Sequence, residues 1–194
     1  MAGPPAVPTD PLTGLDPVLR AGIISTPRLT LEPLGVHHAG EMTTVLAGTA
    51  IYRYIGGRAP TVEELSGRYA AQCVGASSDS GETWLNWIIR ETGTAVGFVQ
   101  ATVVAEGEGP TSYIAWVVGE AYQGRGIAAE AANAMLRWLL PRTGGSAAAC
   151  IHPENRASAA VARKLGLTPT GRLDDDGEER WVGGPPAPGT GTAP

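Results

Sequence analysis

The chain has 194 residues, 43% of them hydrophobic and 17% charged, with a formal charge of −5. That is the length of one domain, no basic run offers a nucleic-acid surface, and two distant cysteines (Cys73 and Cys150) exclude a disulfide framework or a zinc site. Free thiols imply a reducing compartment, and the N-terminus has no signal-peptide pattern; with no apolar stretch near ~20 residues, a soluble cytoplasmic protein is expected.

Glycine (27) and proline (16) crowd the two ends of the chain. Residues 1–24 and 183–194 read as disordered tails around a domain over 25–182, since such segments bury too little apolar surface to offset ordering entropy. Within the domain, residues 28–33 alternate around Leu29 and Leu31 and stop at Pro33, which predicts a first strand. Residues 36–47 read as a helix. The segment 51–57, aromatic and glycine-ended, reads as a loop. Thr61 and Glu64 form a capping-box pattern that opens a second helix running to about Val74.

The period then changes from 3.6 to 2. Residues 85–90, 95–104 and 112–118 read as three antiparallel strands, the first two joined by a tight turn at 91–94. A helix is expected from about Gly126 until just before Pro141, then an apolar strand at 147–152. A helix over 156–165 ends at Gly166, and 168–173 with 179–182 closes the chain as a hairpin. The order β-α-α-β-β-β-α-β-α-β-β makes one α/β domain with a mixed sheet. Trp84, Trp87 and Trp138 are expected in the core, and His37 and His38 carry no ligand spacing.

The richest segment is Gln123–Gly124–Arg125–Gly126–Ile127–Ala128, between an apolar strand and an alanine-rich helix. Glycines let backbone N–H groups approach a ligand closely, and the helix N-terminus adds partial positive charge, so this is a natural seat for a pyrophosphate. A plain strand-to-helix turn is the alternative. Gly124, Gly126 and Ala129 also satisfy a dinucleotide fingerprint. Against that reading, five residues separate strand from glycine, and the acid expected ~20 residues on is missing.

Gln123, Gly126 and Ala128 resemble the acyl-CoA-binding signature Q/R-x-x-G-x-G/A of the GNAT N-acetyltransferase superfamily. Residues 152–158 (HPENRAS) and 161–167 (VARKLGL) resemble the second block of its RimJ/RimL-like branch, and 26–33 and 51–57 resemble that branch's opening. The resemblance spans roughly 25–182. It implies a mixed, mostly antiparallel sheet of about seven strands flanked by about four helices. It also implies acetyl-CoA as co-substrate with no metal, and transfer of acetyl to a primary amine. The acceptor is either a protein N-terminus or a small molecule such as an antibiotic, and the protein a monomer or homodimer.

Carried onto this chain, the resemblance lays the pantetheine arm along Trp116, Val117 and Val118. The pyrophosphate rests on the backbone of Gln123, Gly124, Arg125, Gly126, Ile127 and Ala128, with Arg125 either adding charge or remaining solvated. Asn155 bonds the cofactor arm, or simply caps the following helix. Many family members place an acidic tyrosine where this chain has Ala162, so Ser158 is the expected proton donor to the thiolate. His152, with an ordinary value near ~6.5, and Glu120 are the candidate bases. Tyr52 and Tyr54 would wall the acceptor pocket, and the acidic run 174–179 would attract a cationic amine at its entrance. Two other readings remain open here: a CoA-binding module without catalysis, and a dinucleotide oxidoreductase.

Overall fold

The structure is a computed structural model and describes residues 19–76, 81–107 and 109–183. The expected tails over 1–18 and 184–194 lie outside the described residues. Among the described residues there are eight strands and five α-helices, against about seven and about four expected. In chain order they are β1 (Ile24–Ser25), β2 (Leu29–Pro33), α1 (Ala39–Val45), α2 (Tyr52–Ile55), α3 (Val62–Gln72), β3 (Thr83–Glu91), β4 (Thr94–Glu106) and β5 (Gly109–Val118). There follow α4 (Ile127–Thr143), β6 (Ser146–Ile151), α5 (Arg156–Lys164), β7 (Thr168–Leu173) and β8 (Glu179–Gly183). One sheet runs β1-β2-β3-β4-β5-β6-β8-β7. Every pairing is antiparallel except β5 with β6.

Period-2 alternation divides the sheet's side chains between two layers of helix. Leu85, Trp87, Ile89 and Val99 face α4, whose Met135, Leu136 and Leu139 are fully buried against them; Ala162 and Leu165 at the α5 end join the same cluster. Ile88 and Phe98 face the other way, where Met42 of α1 and Leu65 and Tyr69 of α3 cover them. Thr61 and Glu64 form the expected capping box at the start of α3. Gly166, at φ +79°, closes α5 with Leu167 N–H on the Ala162 carbonyl. Among the described residues, no helix is long and apolar enough to cross a membrane.

Four local expectations are corrected. Residues 19–24, expected in the tail, pack on the core: the buried Trp87 indole needs an acceptor and donates to the Gly22 carbonyl at 2.7 Å. Residues 51–57 are not a loop throughout. Ile51 is buried, the Tyr52 hydroxyl donates to the Leu46 carbonyl at 2.7 Å, and a turn of helix forms before Gly56 stops it at φ +69°. The long helix continues through Pro141 to Thr143, because a proline in the last turn forfeits only one bond while Leu139, Leu140 and Thr143 remain buried. Trp87 alone of the three named tryptophans is fully buried, with Trp138 packed edge-on against it at 5.5 Å.

Gly97 on β4 shows how closely strand and strand approach beside the site. A Cβ there would collide with the Val117 carbonyl of β5. Gly97→Ala is expected to destabilise the fold by about 1–3 kcal/mol, the usual cost of overpacking, read as a lower urea midpoint at unchanged slope.

Candidate functional site

The parallel pair β5–β6 stays together for three residues only, Thr111–Tyr113 against Ser146–Ala148. Beyond them β5 follows β4 to Val118 and β6 follows β8 to Ile151. The two strands separate, and a cleft of about 240 Å³ opens between them. Ile114–Val117 form one wall and Ala149–His152 the other. Along the diverging stretch the inner edge of β5 has no strand partner, so its peptide groups offer a line of donors and acceptors to an extended, amide-bearing ligand. Gly145 anchors the base of the fork. It holds φ +71°, and a Cβ there would strike the Pro110 carbonyl.

The glycine loop stands at the end of β5. Gly124 (φ +76°) and Gly126 (φ +78°) adopt left-handed conformations, and Gly126 caps α4. The first N–H groups of α4, from Ile127 and Ala128 onward, have no intrahelical acceptors and point out of the N-terminus, where an anion is favoured. Gln123 turns back: its amide donates to the Val118 carbonyl at 2.9 Å and fastens the loop to the strand. Arg125 is likewise engaged, paired with Glu91 at 2.8 Å on the β3–β4 turn.

Thr26 and Arg28 fall in the 26–33 segment that resembles the branch's opening, where no role was assigned to them; in the structure they brace this loop. The Thr26 hydroxyl donates to Glu130 at 2.6 Å and Arg28 Nε donates to the same carboxylate at 2.8 Å. Arg28 also reaches the Arg125 carbonyl inside the loop at 3.3 Å. Burial raises the Glu130 carboxyl, but the Thr26 hydroxyl and the Arg28 guanidinium outweigh it and hold it below the ordinary range. An uncompensated carboxylate one turn from the anion seat would repel the ligand. The only local signal was a Thr-x-Arg pair between β1 and β2, and the partner of Arg28 lies 102 residues away.

The remaining candidates divide. His152, Asn155, Ser158, Tyr54, Trp116 and Val117 all line the cleft. Asn155 Oδ1 accepts from Ser158 N–H at 3.1 Å and caps α5, so the side chain serves the helix, and Ser158 lines the cleft from the first turn. His152 Nδ1 accepts from Glu154 N–H at 3.2 Å, which places a neutral ring's proton on Nε2 and makes that nitrogen a donor. The Tyr54 ring packs 5.3 Å from it. Tyr52 does not line the cleft: its hydroxyl is spent on Leu46, and its ring packs with α1 and α3. Glu120 also lies elsewhere, accepting from Ala50 N–H at 2.6 Å.

The carboxylate that does line the cleft is Glu178, from the acidic run. Burial pushes it up, and the like charges of Asp174 and Asp176 push it further against the pull of His152. Cys150, on the same wall, is pushed up to about 11 by burial and the neighbouring Asp174 and Glu178, so it is a thiol at neutral pH.

A second cluster, Glu32, His37 and His38, brings its ligand atoms within 4.8 Å of one another, unlike the expectation of no ligand spacing. Its chemistry opposes a cation. His38 is fully buried, its Nδ1 accepts from Gly35 N–H at 2.9 Å, and Nε2 therefore carries the ring proton. Burial pushes that imidazole down, and Arg90 already holds Glu32 while bridging to Glu41 at 2.6 Å. The cluster ties α1 to the sheet.

The Arg28 brace is testable as a double-mutant cycle. Arg28→Gln is expected to weaken acetyl-CoA binding about tenfold, as the loss of a ~1.4 kcal/mol charge compensation. Glu130→Gln should bind at least as well as the parent, and the double variant should recover most of the loss; isothermal titration at low salt reads all four.

A model of the acetyltransferase (GNAT) domain family matches residues 28–168. No curated protein matches the chain. Among solved structures, RimL, the ribosomal L7/L12 α-N-protein acetyltransferase, superposes with a TM-score of 0.70 at 17% identity, over 88% of this chain and 99% of its own. The aminoglycoside acetyltransferase AAC(6')-Ib in complex with coenzyme A gives 0.65 at 18%, over 80% and 94%. The microcin C7 self-immunity acetyltransferase MccE, with acetyl-CoA and AMP, gives 0.66 at 17%, over 88% and 98%. At these identities the structural likeness speaks for the fold, while the family model covers most of the sequence. The forked strands, the glycine loop and that match lead to one conclusion: the chain belongs to the GNAT acetyltransferase family.

Proposed function

We propose that this protein transfers the acetyl group of acetyl-CoA to a primary amine. The observation that carries the reading is the fork between β5 and β6, whose cleft is lined by Ser158 and Glu178. The backbone of Gln123–Ala128 holds the pyrophosphate, and the unpaired edge at Trp116–Val118 holds the pantetheine amides. Solved relatives that carry this fold act on a ribosomal protein, an aminoglycoside and a microcin, so both protein N-termini and small amines are in scope.

The thioester supplies an activated acyl carbon; the chain must manage two protons. Glu178 draws the acceptor's ammonium into the cleft and removes one proton, since its own carboxylate is short of compensating charge. The neutral amine then forms the C–N bond as the C–S bond breaks. Ser158 donates a hydrogen bond, and through it a proton, to the departing sulfur, and recovers that proton from the acylated nitrogen. The sum is amide, thiol and one proton left on Glu178. His152, with Nε2–H outward, is suited to orienting a carbonyl or carboxylate rather than to accepting a proton. An α-amine near ~8 needs less help than a lysine near ~10.4, which fits a site with one raised carboxylate as its base.

Glu178→Gln is expected to reduce kcat by at least ~100-fold, the usual scale for a lost general base, and to remove the acidic limb of the pH profile. The sign follows from linkage. A carboxyl raised in the folded state costs stability once ionised, so the neutral variant should melt no lower than the parent at pH 7, a result that separates chemistry from unfolding. Ser158→Ala is expected to lower turnover more than acetyl-CoA affinity. Gly126→Val, which forces a β-branched residue to φ +78°, should abolish that affinity. Tight CoA binding with no turnover on any amine would instead favour a CoA-binding module without catalysis.

A further inference from the structure

We propose that the acceptor cleft continues across the sheet into a second cavity beneath α3, and that this cavity takes an uncharged carboxamide or peptide amide borne next to the acetylated amine. The inference rests on the acetyl-transfer reading above and extends it to the acceptor's class.

Two features join the cavities. Phe98 and Gln100 of β4 line both. The sheet register sets Asn86 opposite Gln100 and Gln100 opposite Ala115, one row running from β3 to β5. Adjacent strands lie about 4.8 Å apart, so a carboxamide borne next to an amine over Ala115 falls over Gln100, with the Asn86 side chain reaching toward it from the next strand. The second cavity holds about 80 Å³, between two and three waters' worth at ~30 Å³ each, which suits a carboxamide.

The lining specifies the chemistry. Leu34, Leu46 and Leu65 give it apolar walls, and four polar groups converge on it. The side-chain amides of Gln72, Asn86 and Gln100 make no hydrogen bond to any described residue. Among the described residues the Tyr69 hydroxyl, in a side chain only 4% exposed, has no partner. Nearby polar groups behave differently: Tyr52 is satisfied by Leu46, and Glu64 by Thr61 and Arg58. The three amides are half-buried, while the buried Tyr69 hydroxyl carries the usual cost of about 1–3 kcal/mol for an unmatched polar group; an apolar pocket with a few converging polar groups is the usual form of a binding site. Burial lifts the Tyr69 phenol to about 12, so it stays protonated. Three amides, each both donor and acceptor, and a neutral phenol complement a group that itself donates and accepts without charge. Arg68 also lines the cavity; its side chain is exposed, and its charge pulls the Tyr69 phenol down without overcoming burial.

The test compares alaninamide with its apolar counterpart 3-methylbutan-2-amine as acceptors, for the parent and for Asn86→Leu, a near-isosteric change at a residue that lines only the second cavity. Asn86→Leu is expected to lower kcat/KM for alaninamide about tenfold or more and to change the apolar amine by less than about twofold, with the acetyl-CoA KM unmoved. Equal effects on both amines, no effect on either, or a parent preference for acidic acceptors would overturn the proposal. Saturation-transfer NMR with propionamide reads the cavity without turnover. A signal in the folded parent that is lost in both Asn86→Leu and Gln72→Leu supports the subsite even if no amine is acetylated, an outcome that would defeat the transfer reading alone. Absence of that signal in the parent defeats the subsite.

Discussion

The site depends on a parallel strand pair that is allowed to come apart. β5 and β6 share three residue pairs and then part, each held by an antiparallel neighbour on its outer side. Unpaired peptide groups in a protein interior are costly, so a fork of this kind persists only where something else satisfies them. An extended ligand with its own amides does so. The geometry is enforced from behind: Gly97 lets β4 press close to Val117, and Gly145 sets the sharp entry into β6 against Pro110. Both faces of the sheet are clad by helices, which leaves the fork as the place where backbone faces an open cleft.

Electrostatics sets two regions apart. At the glycine loop, past the end of β5, the acidic Glu130 is neutralised by Thr26 and Arg28, and backbone N–H groups and a helix N-terminus make a setting for an anion. Around Glu178 acids crowd without a guanidinium to match them, a setting for a cation. An anionic donor and a cationic acceptor would thus approach from regions of opposite polarity and meet beside Ser158. The arginine that looked most available, Arg125, is held by Glu91 and does not alter this division.

How far the site was legible depended on the range of the forces involved. The glycine loop, the α3 capping box and the α5 stop at Gly166 are local devices, set by a few consecutive residues, and each could be read from the order of residues. Asn155 was readable as a cap for the same reason. Tyr52 and Tyr54 look alike in sequence, two residues apart, but a short helix turns one toward Leu46 and the other toward His152. Glu120 follows the cofactor strand immediately and still points to Ala50, because a loop N–H there needed an acceptor. Arg28 drew no notice, since its partner is a helix and a sheet away.

Periodicity and turn chemistry in the sequence alone were enough for a mixed α/β domain, the order of its elements apart from β1 and α2, and the glycine turn ahead of α4; the residues of the family signature were equally open to view. Those follow from interactions within about ten residues, whose geometry the chain's own torsions dictate. Only the tertiary structure decided which side chains meet: the fork width, Glu178 rather than Glu120 on the cleft wall, the packing of residues 19–24, and the row of amides beneath α3. Each of these is a balance of burial against hydrogen bonding between segments far apart in sequence, which local preference cannot set.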